Sequence, residues 1–194
     1  GVYILQGMKK NNKYTYIQGT QITDHATGIR FYDFQGIRLP SVTTVLAKTK
    51  NQEYLTAWKN KVGGKLSGLT VANGHVYVAA VDRYEIHAID ESSGETVWTF
   101  TAGGRIDSPP SIHNGIVYFG SADGWAYALR QADGALVWRF RGGPSDRRVV
   151  VRERLESVWP VHGNVLVHEN SVVVAAGRSS YLDGGIHLYR LDPA

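Results

Sequence analysis

The chain has 194 residues, 43% apolar and 20% charged, with a net charge of +4 and no cysteine. This length and composition build a real core and exclude global disorder; the missing thiol excludes disulfide scaffolds, thiolate zinc sites, CxxC redox chemistry and cysteine nucleophiles. No stretch reaches the ~20 apolar residues of a membrane span, and residues 1–6 are too short and uncharged for a signal peptide.

In chain order, residues 1–7 read as a leader without assigned structure, and Met8-Lys9-Lys10 as a translation start. Residues 8–63 predict a small α+β segment. Residues 14–17 and 30–34 read as short strands, with a turn at Gln35-Gly36. Residues 40–46 predict a helix with Ser41 as its N-cap. Asn51-Gln52-Glu53 opens a second helix, on which Tyr54, Leu55, Trp58 and Val62 share one face. Residues 1–65 carry ten basic and three acidic side chains, a surplus of +7, and eight of those bases are Lys. Beyond Lys65 every base is Arg and the balance is −3. The switch reads as two segments of different ancestry meeting near residues 58–65, a chimera or a fragment.

From residue 64 onward the chain repeats with a period of about 40 residues, the blade length of propeller repeats. Asn73-Gly74 and Asn114-Gly115 are turn dipeptides, each followed by a β-branched and aromatic run, Val76-Tyr77-Val78 and Ile116-Val117-Tyr118-Phe119. Asp123-Gly124 signals a hairpin. Residues 96–100 and 136–140 are alternating strands, and each holds one Trp, at 98 and 138. A degenerate third unit runs from Glu169-Asn170 to Asp192. Each unit is a four-stranded meander that cannot bury both faces alone, and stacking around an axis solves this. The fold expected is mainly β, an incomplete β-propeller of about three four-stranded blades after the α+β segment. The blades span about 64–103, 104–142 and 143–194, with a loop insertion at 142–160.

The stretch Ala88-Ile89-Asp90-Glu91-Ser92-Ser93-Gly94-Glu95-Thr96-Val97-Trp98 resembles the tryptophan-docking motif of quinoprotein-dehydrogenase-like (PQQ-like) repeat proteins, with Ser93 in place of Thr. The second unit keeps Ala128, Gly134 and Trp138, while Arg130 and Asp133 depart from the pattern. Residues 103–110, 155–163 and 176–185 resemble multi-blade envelope proteins of this kind. The resemblance implies that Trp98 and Trp138 pack between blades and that the Asp and hydroxyl bond to the adjoining blade. It also implies a non-catalytic binding or scaffolding role, with relatives mostly exported or periplasmic. Arg38-Leu39-Pro40-Ser41-Val42-Thr43-Thr44 and Trp58-Lys59-Asn60-Lys61-Val62-Gly63 resemble the amino-terminal segment of phage and mitochondrial genome-maintenance exonucleases, members of the PD-(D/E)xK nucleases. No Lys beyond residue 65 remains to complete that motif. Trp58 also lies 40 residues before Trp98, so residues 58–63 fit either a nuclease helix or the last strand of a preceding blade.

No catalytic or metal motif is visible. The seven His show no metal spacing, and the glycine pairs at 103–104 and 142–143 are turn glycines rather than a phosphate cradle. The insertion 142–160 is the best candidate surface, because loops carry function more often than sheets. Its candidate residues are Arg147, Arg148, Arg152 and Glu156, joined by Arg178 and Asp183 of the third unit. Expected partners are another protein or further blades, with self-association through open sheet edges. Nucleic acid enters only if the basic residues 1–65 bind it. No cofactor is expected; a quinone with Ca²⁺ belongs only to the alternative of a dehydrogenase fragment.

Overall fold

The repeat strands carry apolar residues at consecutive positions, as a sheet covered on both faces requires. Val76, Tyr77, Val78, Ala79 and Ala80 are all fully buried. The structure, a computed structural model, describes residues 4–10, 13–19, 31–32, 38–39 and 55–193, with side chains at Trp58 and residues 60–193. Strands β1 (Ile4–Lys10), β2 (Lys13–Gly19), β3 (Phe31–Tyr32), β4 (Arg38–Leu39) and β5 (Leu55–Asn60) form one sheet in the order β4-β3-β2-β1-β5. A four-stranded meander follows, β6 (Leu66–Ala72), β7 (His75–Ala80), β8 (Glu85–Asp90) and β9 (Thr96–Thr101). The next meander is β10 (Ser111–His113), β11 (Ile116–Gly120), β12 (Trp125–Arg130) and β13 (Leu136–Arg141). A hairpin of β14 (Arg148–Val151) and β15 (Arg154–Ser157) occupies the insertion. The last sheet has three strands among the described residues, β16 (Leu166–His168), β17 (Ser171–Ala176) and β18 (His187–Leu191).

The mainly β, partial-propeller expectation holds. The second helix does not hold over residues 55–60; its opening residues 51–54 lie outside the described residues. Residues 55–60 form strand β5, which pairs antiparallel with β1 and sets Trp58 opposite Gly7. Residues 58 and 62 fit both a helical and a strand spacing, and the pairing of β5 with β1 together with burial of Trp58 and Val62 against the next sheet decides for the strand. Strand β1 begins at Ile4, ahead of Met8, so residues 4–7 belong to a sheet and are not a leader without structure. Residues 31 and 32 of the strand expected at 30–34 are extended. The helix at 40–46 with its Ser41 cap and the turn at Gln35-Gly36 lie outside the described residues.

Alternation along each strand serves two neighbours at once. On β7, Val76, Val78 and Ala80 turn toward Trp58 and Val62, while Tyr77 and Ala79 turn toward Val117, Phe119 and Tyr127 of the next meander. On β11, Tyr118 turns the other way, to meet Val161, Val172 and Val174. Phe119 and Tyr127 stack with centroids 5.1 Å apart, and Phe100 meets both edge-on. The inner strands are stitched by hydroxyls: Thr70 Oγ1 donates to the Pro110 carbonyl at 2.6 Å, and Ser111 Oγ to that of Val165. The turns between first and second strands need left-handed backbone at two residues. Asn73-Gly74 and Asn114-Gly115 supply it, and in the last sheet Glu169-Asn170 does so at φ 44° and 57° without glycine.

A meander sends alternate connections to opposite ends. The connections 81–84, 102–110, 121–124, 142–165 and 177–186 all lie at one end, called here the loop face. Backbone bonds join them there: Ala122 N–H donates to Arg105 O at 2.8 Å, Val161 N–H to Ser121 O at 3.0 Å, and Gly177 N–H to Pro160 O at 3.0 Å.

Candidate functional site

Two sets of candidates occupy opposite ends of the blades. At the end away from the loop face lies the docking motif. Gly94 has φ +76°, and a Cβ there would stand 2.4 Å from the Trp58 ring; Gly134 has φ +71°, and a Cβ would stand 2.7 Å from the Trp98 ring. Each indole therefore lies flat on a bare glycine of the following sheet. Trp58 Nε1 donates to Glu91 O at 2.8 Å and Trp98 Nε1 to Gln131 O at 2.8 Å, both acceptors 33 residues on. Trp138 Nε1 reaches Pro193 O at 3.3 Å, 55 residues on. Ala88 and Ala128, both fully buried, sit directly opposite Trp98 and Trp138, and their small side chains leave room for the indoles.

The carboxylate works differently from what the resemblance implies. Asp90 Oδ1 accepts from Ser92 N–H at 2.9 Å, Ser93 N–H at 2.7 Å and Ser92 Oγ at 2.6 Å, and Ser93 Oγ accepts from Glu95 N–H at 3.2 Å. These bonds hold its own turn, which must be rigid to present Gly94. The bond to the adjoining sheet comes instead from the indole and from Asn60 Nδ2, which donates to Gly94 O at 2.7 Å. In the second meander the departures compensate each other. Asp133 accepts from Ala135 N–H at 3.0 Å, in the place of Ser93, and Arg130 grips Asp133 through Nε at 2.8 Å and Nη2 at 2.6 Å. Hydrogen bonding holds the Asp90 and Asp133 carboxyls down to about 2.

The second set lies on the loop face. Arg178 Nη2 donates to Glu156 Oε2 at 2.6 Å and to Ser157 O at 3.0 Å. Arg105 Nε lies 3.0 Å from Glu156 Oε1, so one buried carboxylate is held between two guanidiniums from different blades. Arg105 also reaches Asp107 at 3.4 Å, and Asp107 pairs with His162 Nδ1 at 3.2 Å. The hydrogen bond from His162 holds the Asp107 carboxyl below its usual range. Arg147 pairs with Asp183, and Trp159 Nε1 donates to Asp183 O at 2.7 Å. Arg148 pairs with Asp146 at 3.3 Å, and Arg152 stands at the hairpin tip with φ 48°. Glu156 with Arg178, and Arg147 with Asp183, are thus brought together across loops, whereas Arg148 and Arg152 stay on the hairpin rim. Arg154, inside the candidate insertion, pairs with Asp82 at 2.9 Å. Arg105, Asp107 and His162 were not named as candidates. Their only signal was their place in residues 103–110 and 155–163, the segments similar to envelope proteins.

Among the described residues no group of three or more His, Asp or Glu could hold a metal ion, and no helix is long and apolar enough to cross a membrane. The indoles of Trp58 and Trp98 are covered by Gly94 and Gly134 and so are not open to stack on a quinone.

A family model described as outer membrane protein assembly factor BamB matches residues 45–184. BamB of Moranella endobia (strain PCIT) is 29% identical over 80 residues, 41% of this chain and 20% of that protein. The crystal structure of BamB from Moraxella catarrhalis shares the fold with a TM-score of 0.59 at 18% identity, over 95% of this chain and 48% of that one. A quinohemoprotein alcohol dehydrogenase from Pseudomonas putida HK5 gives a TM-score of 0.52 at 18% identity, over 64% of this chain and 18% of that one. The match thus spans about a fifth of the curated relative's length, and the structural likenesses speak for the fold alone.

Proposed function

The chain belongs to the family described as outer membrane protein assembly factor BamB, and from that premise we propose that it is a non-catalytic propeller segment that binds or scaffolds protein partners in the cell envelope. One observation carries this reading. The docking indoles are spent on holding blades together, while the loop face gathers paired charges beside exposed aliphatics, Val150 at 70% and Leu155 at 56% exposure. Such a surface has the ingredients of an interface, an apolar centre with a polar rim. A further contact surface is the outer face of the last sheet, where Leu166 and Leu188 are exposed and an additional blade or a second copy would stack.

The test places a photo-cross-linking amino acid at Leu155 on the loop face, or at Leu136 on the outer rim, in cells producing the chain. Discrete protein adducts from position 155 and none from 136 are expected. Reduction of a dye by alcohols after addition of quinone and Ca²⁺ would overturn the reading in favour of a dehydrogenase.

A second reading, a DNA-binding piece related to exonucleases, rests on the +7 surplus of residues 1–65. The BamB family match reaches back to residue 45, and strand β5 replaces the expected helix, so the blade reading is favoured in the overlap. Absence of DNA binding by the whole chain at low salt removes the nuclease reading.

A further inference from the structure

We infer that Arg139 and Arg141, laid over the Trp125 ring at the loop-face end of strand β13, form a docking site for two neighbouring carboxylates of an acidic partner protein; the inference rests on the scaffold reading above. The geometry follows from alternation along β13. Trp138 and Phe140 turn toward the last sheet, so residues 139 and 141 turn the other way, to the face that carries Tyr127 and Trp125. Tyr127 stands opposite Arg139, and Trp125 stands opposite Arg141. Arg139 Cζ lies 4.3 Å and Arg141 Cζ 4.8 Å from the centroid of the one indole, and both arginines are exposed. A cation–π contact uses no hydrogen bond, so the N–H donors of both guanidiniums remain available. No ion pair or hydrogen bond joins either guanidinium to another described residue.

That state sets the two apart. Beyond residue 65, every other arginine except Arg152 meets an acid or, at Arg190, a hydroxyl. The equivalent places in the first meander, 40 positions earlier, are closed on themselves. There Glu85 and His87 stand opposite Thr101 and Thr99. Glu85 pairs with Arg83 at 2.9 Å and with His87 Nε2 at 3.2 Å, and Thr99 Oγ1 bonds His87 Nδ1 at 3.1 Å. The repeat keeps the frame and exchanges a self-neutralised set for two cations without a counter-charge. Like charges two residues apart on one face of a strand repel each other, and anions bound there remove that cost.

The charge and its small extent select the occupant. A carboxylate takes a guanidinium fork through two hydrogen bonds. Alternate side chains of an extended segment recur at the spacing of residues 139 and 141. The shared ring limits where both guanidiniums can go, which lowers the ordering cost of binding. A membrane surface draws clusters of about four to eight basic residues, whereas this patch has two cations in a segment, residues 66–194, that carries −3. The site also adjoins the loop face: Arg141 leads into Gly142-Gly143, and a Cβ at Gly143 would stand 2.7 Å from the Trp159 ring. Leu136 lies at the opposite end of β13, ~17 Å from Arg141 at the rise of a strand, so the absence of adducts expected there is preserved.

The experiment titrates the whole chain into a fluorescein-labelled decapeptide of alternating Glu and Ser, read by anisotropy. Because the basic residues 1–65 attract any anion, variants of equal charge are compared. Arg139→Gln with Arg141→Gln should weaken binding at least tenfold, and Arg148→Gln with Arg152→Gln less than twofold. Arg139→Lys with Arg141→Lys keeps the charge and loses the fork, and it should weaken binding at least threefold. If the first Gln pair does not fold, the unaltered chain supplies a second reading by NMR. The Nε–H signals of Arg139 and Arg141, assigned by single Lys variants, must then shift with the peptide while that of Arg152 stays. Equal loss in both Gln pairs, full binding by the Lys pair, or unmoved signals would each overturn the inference. So would release of the chain from phosphatidylglycerol vesicles by the first Gln pair, which marks a lipid site, or dissolution of a dimer, which makes a second copy the occupant. If Glu–Ser binding is absent while adducts at Leu155 persist, the docking site falls and the scaffold reading stands. If those adducts are also absent, the scaffold reading falls with it.

Discussion

At the scale of single residues, the turn before each Trp strand shows how much work one carboxylate does. Asp90 accepts three hydrogen bonds at one oxygen, and those bonds pull its carboxyl to about 2. A folded value below the ordinary 3.8 means that the unfolded chain binds the proton first, so this stabilisation is whole above about pH 4 and fades as pH falls toward 2. Urea unfolding of the chain and of Asp90→Ala between pH 2 and pH 6 checks it. The gap in stability between the two should be constant above pH 4 and narrow below it. This residue was legible in the sequence because Asp90 and Ser93 stand in a turn signature. Arg130 and Asp133 were legible only as departures, because a salt bridge replacing a hydroxyl turn keeps the shape and not the letters. Trp58 was ambiguous for a definite reason: residues 58 and 62 satisfy both a helical and a strand spacing, and contact with Gly94, 36 positions away, settles which applies.

At the scale of elements, the junction between meanders is an indole pressed on a bare backbone and pinned by one hydrogen bond. The two contributions meet on one indole. Trp98→Phe removes the donor to Gln131 O together with part of the ring pressed on Gly134, at a cost of at least about 1–2 kcal/mol. Gly134→Ala keeps the donor and drives a Cβ into the ring at a left-handed backbone position, at a cost of about 2–4 kcal/mol. Because both disturb one contact, the double variant should lose less than the sum. Denaturant unfolding of the three variants reads this directly, and strict additivity would deny that the glycine and the indole act together. The strands of the two complete meanders were legible from their β-branched runs and Asn-Gly turns. The β14–β15 hairpin was not, because its sequence, dense in arginine and glutamate, has the look of a solvated loop until the burial of Glu156 is known.

For the whole molecule, the ion pairs of the loop face join segments distant in the chain. Arg105 follows β9, Glu156 lies on β15 and Arg178 follows β17, so Glu156 ties together loops that leave three different sheets. Glu156→Gln removes the shared counter-charge of two partly exposed arginines, and solvent tempers the cost to about 2–3 kcal/mol. Hydrogen exchange should show lost protection first at Val149, Val158 and Gly177, with the docking turns at 90–94 and 130–134 unchanged. Uniform loss across the chain would mean that the two ends of the blades are mechanically coupled. Glu156 and Arg178 were candidates from the sequence, but their pairing with each other and with Arg105 was not legible there, since no periodicity connects positions 105, 156 and 178.

The separation of the two ends has a consequence for how such a chain can grow. Trp58 and Trp98 find their acceptors 33 residues downstream at 2.8 Å, and Trp138 finds a carbonyl after 55 at 3.3 Å, with the hairpin accommodated in between. The extra length lies on one rim while an indole bond is retained on the opposite rim. New recognition elements can therefore be spliced into the upper connections without retuning the joints below, so the architecture separates the part that is free to diversify from the part that must stay constant.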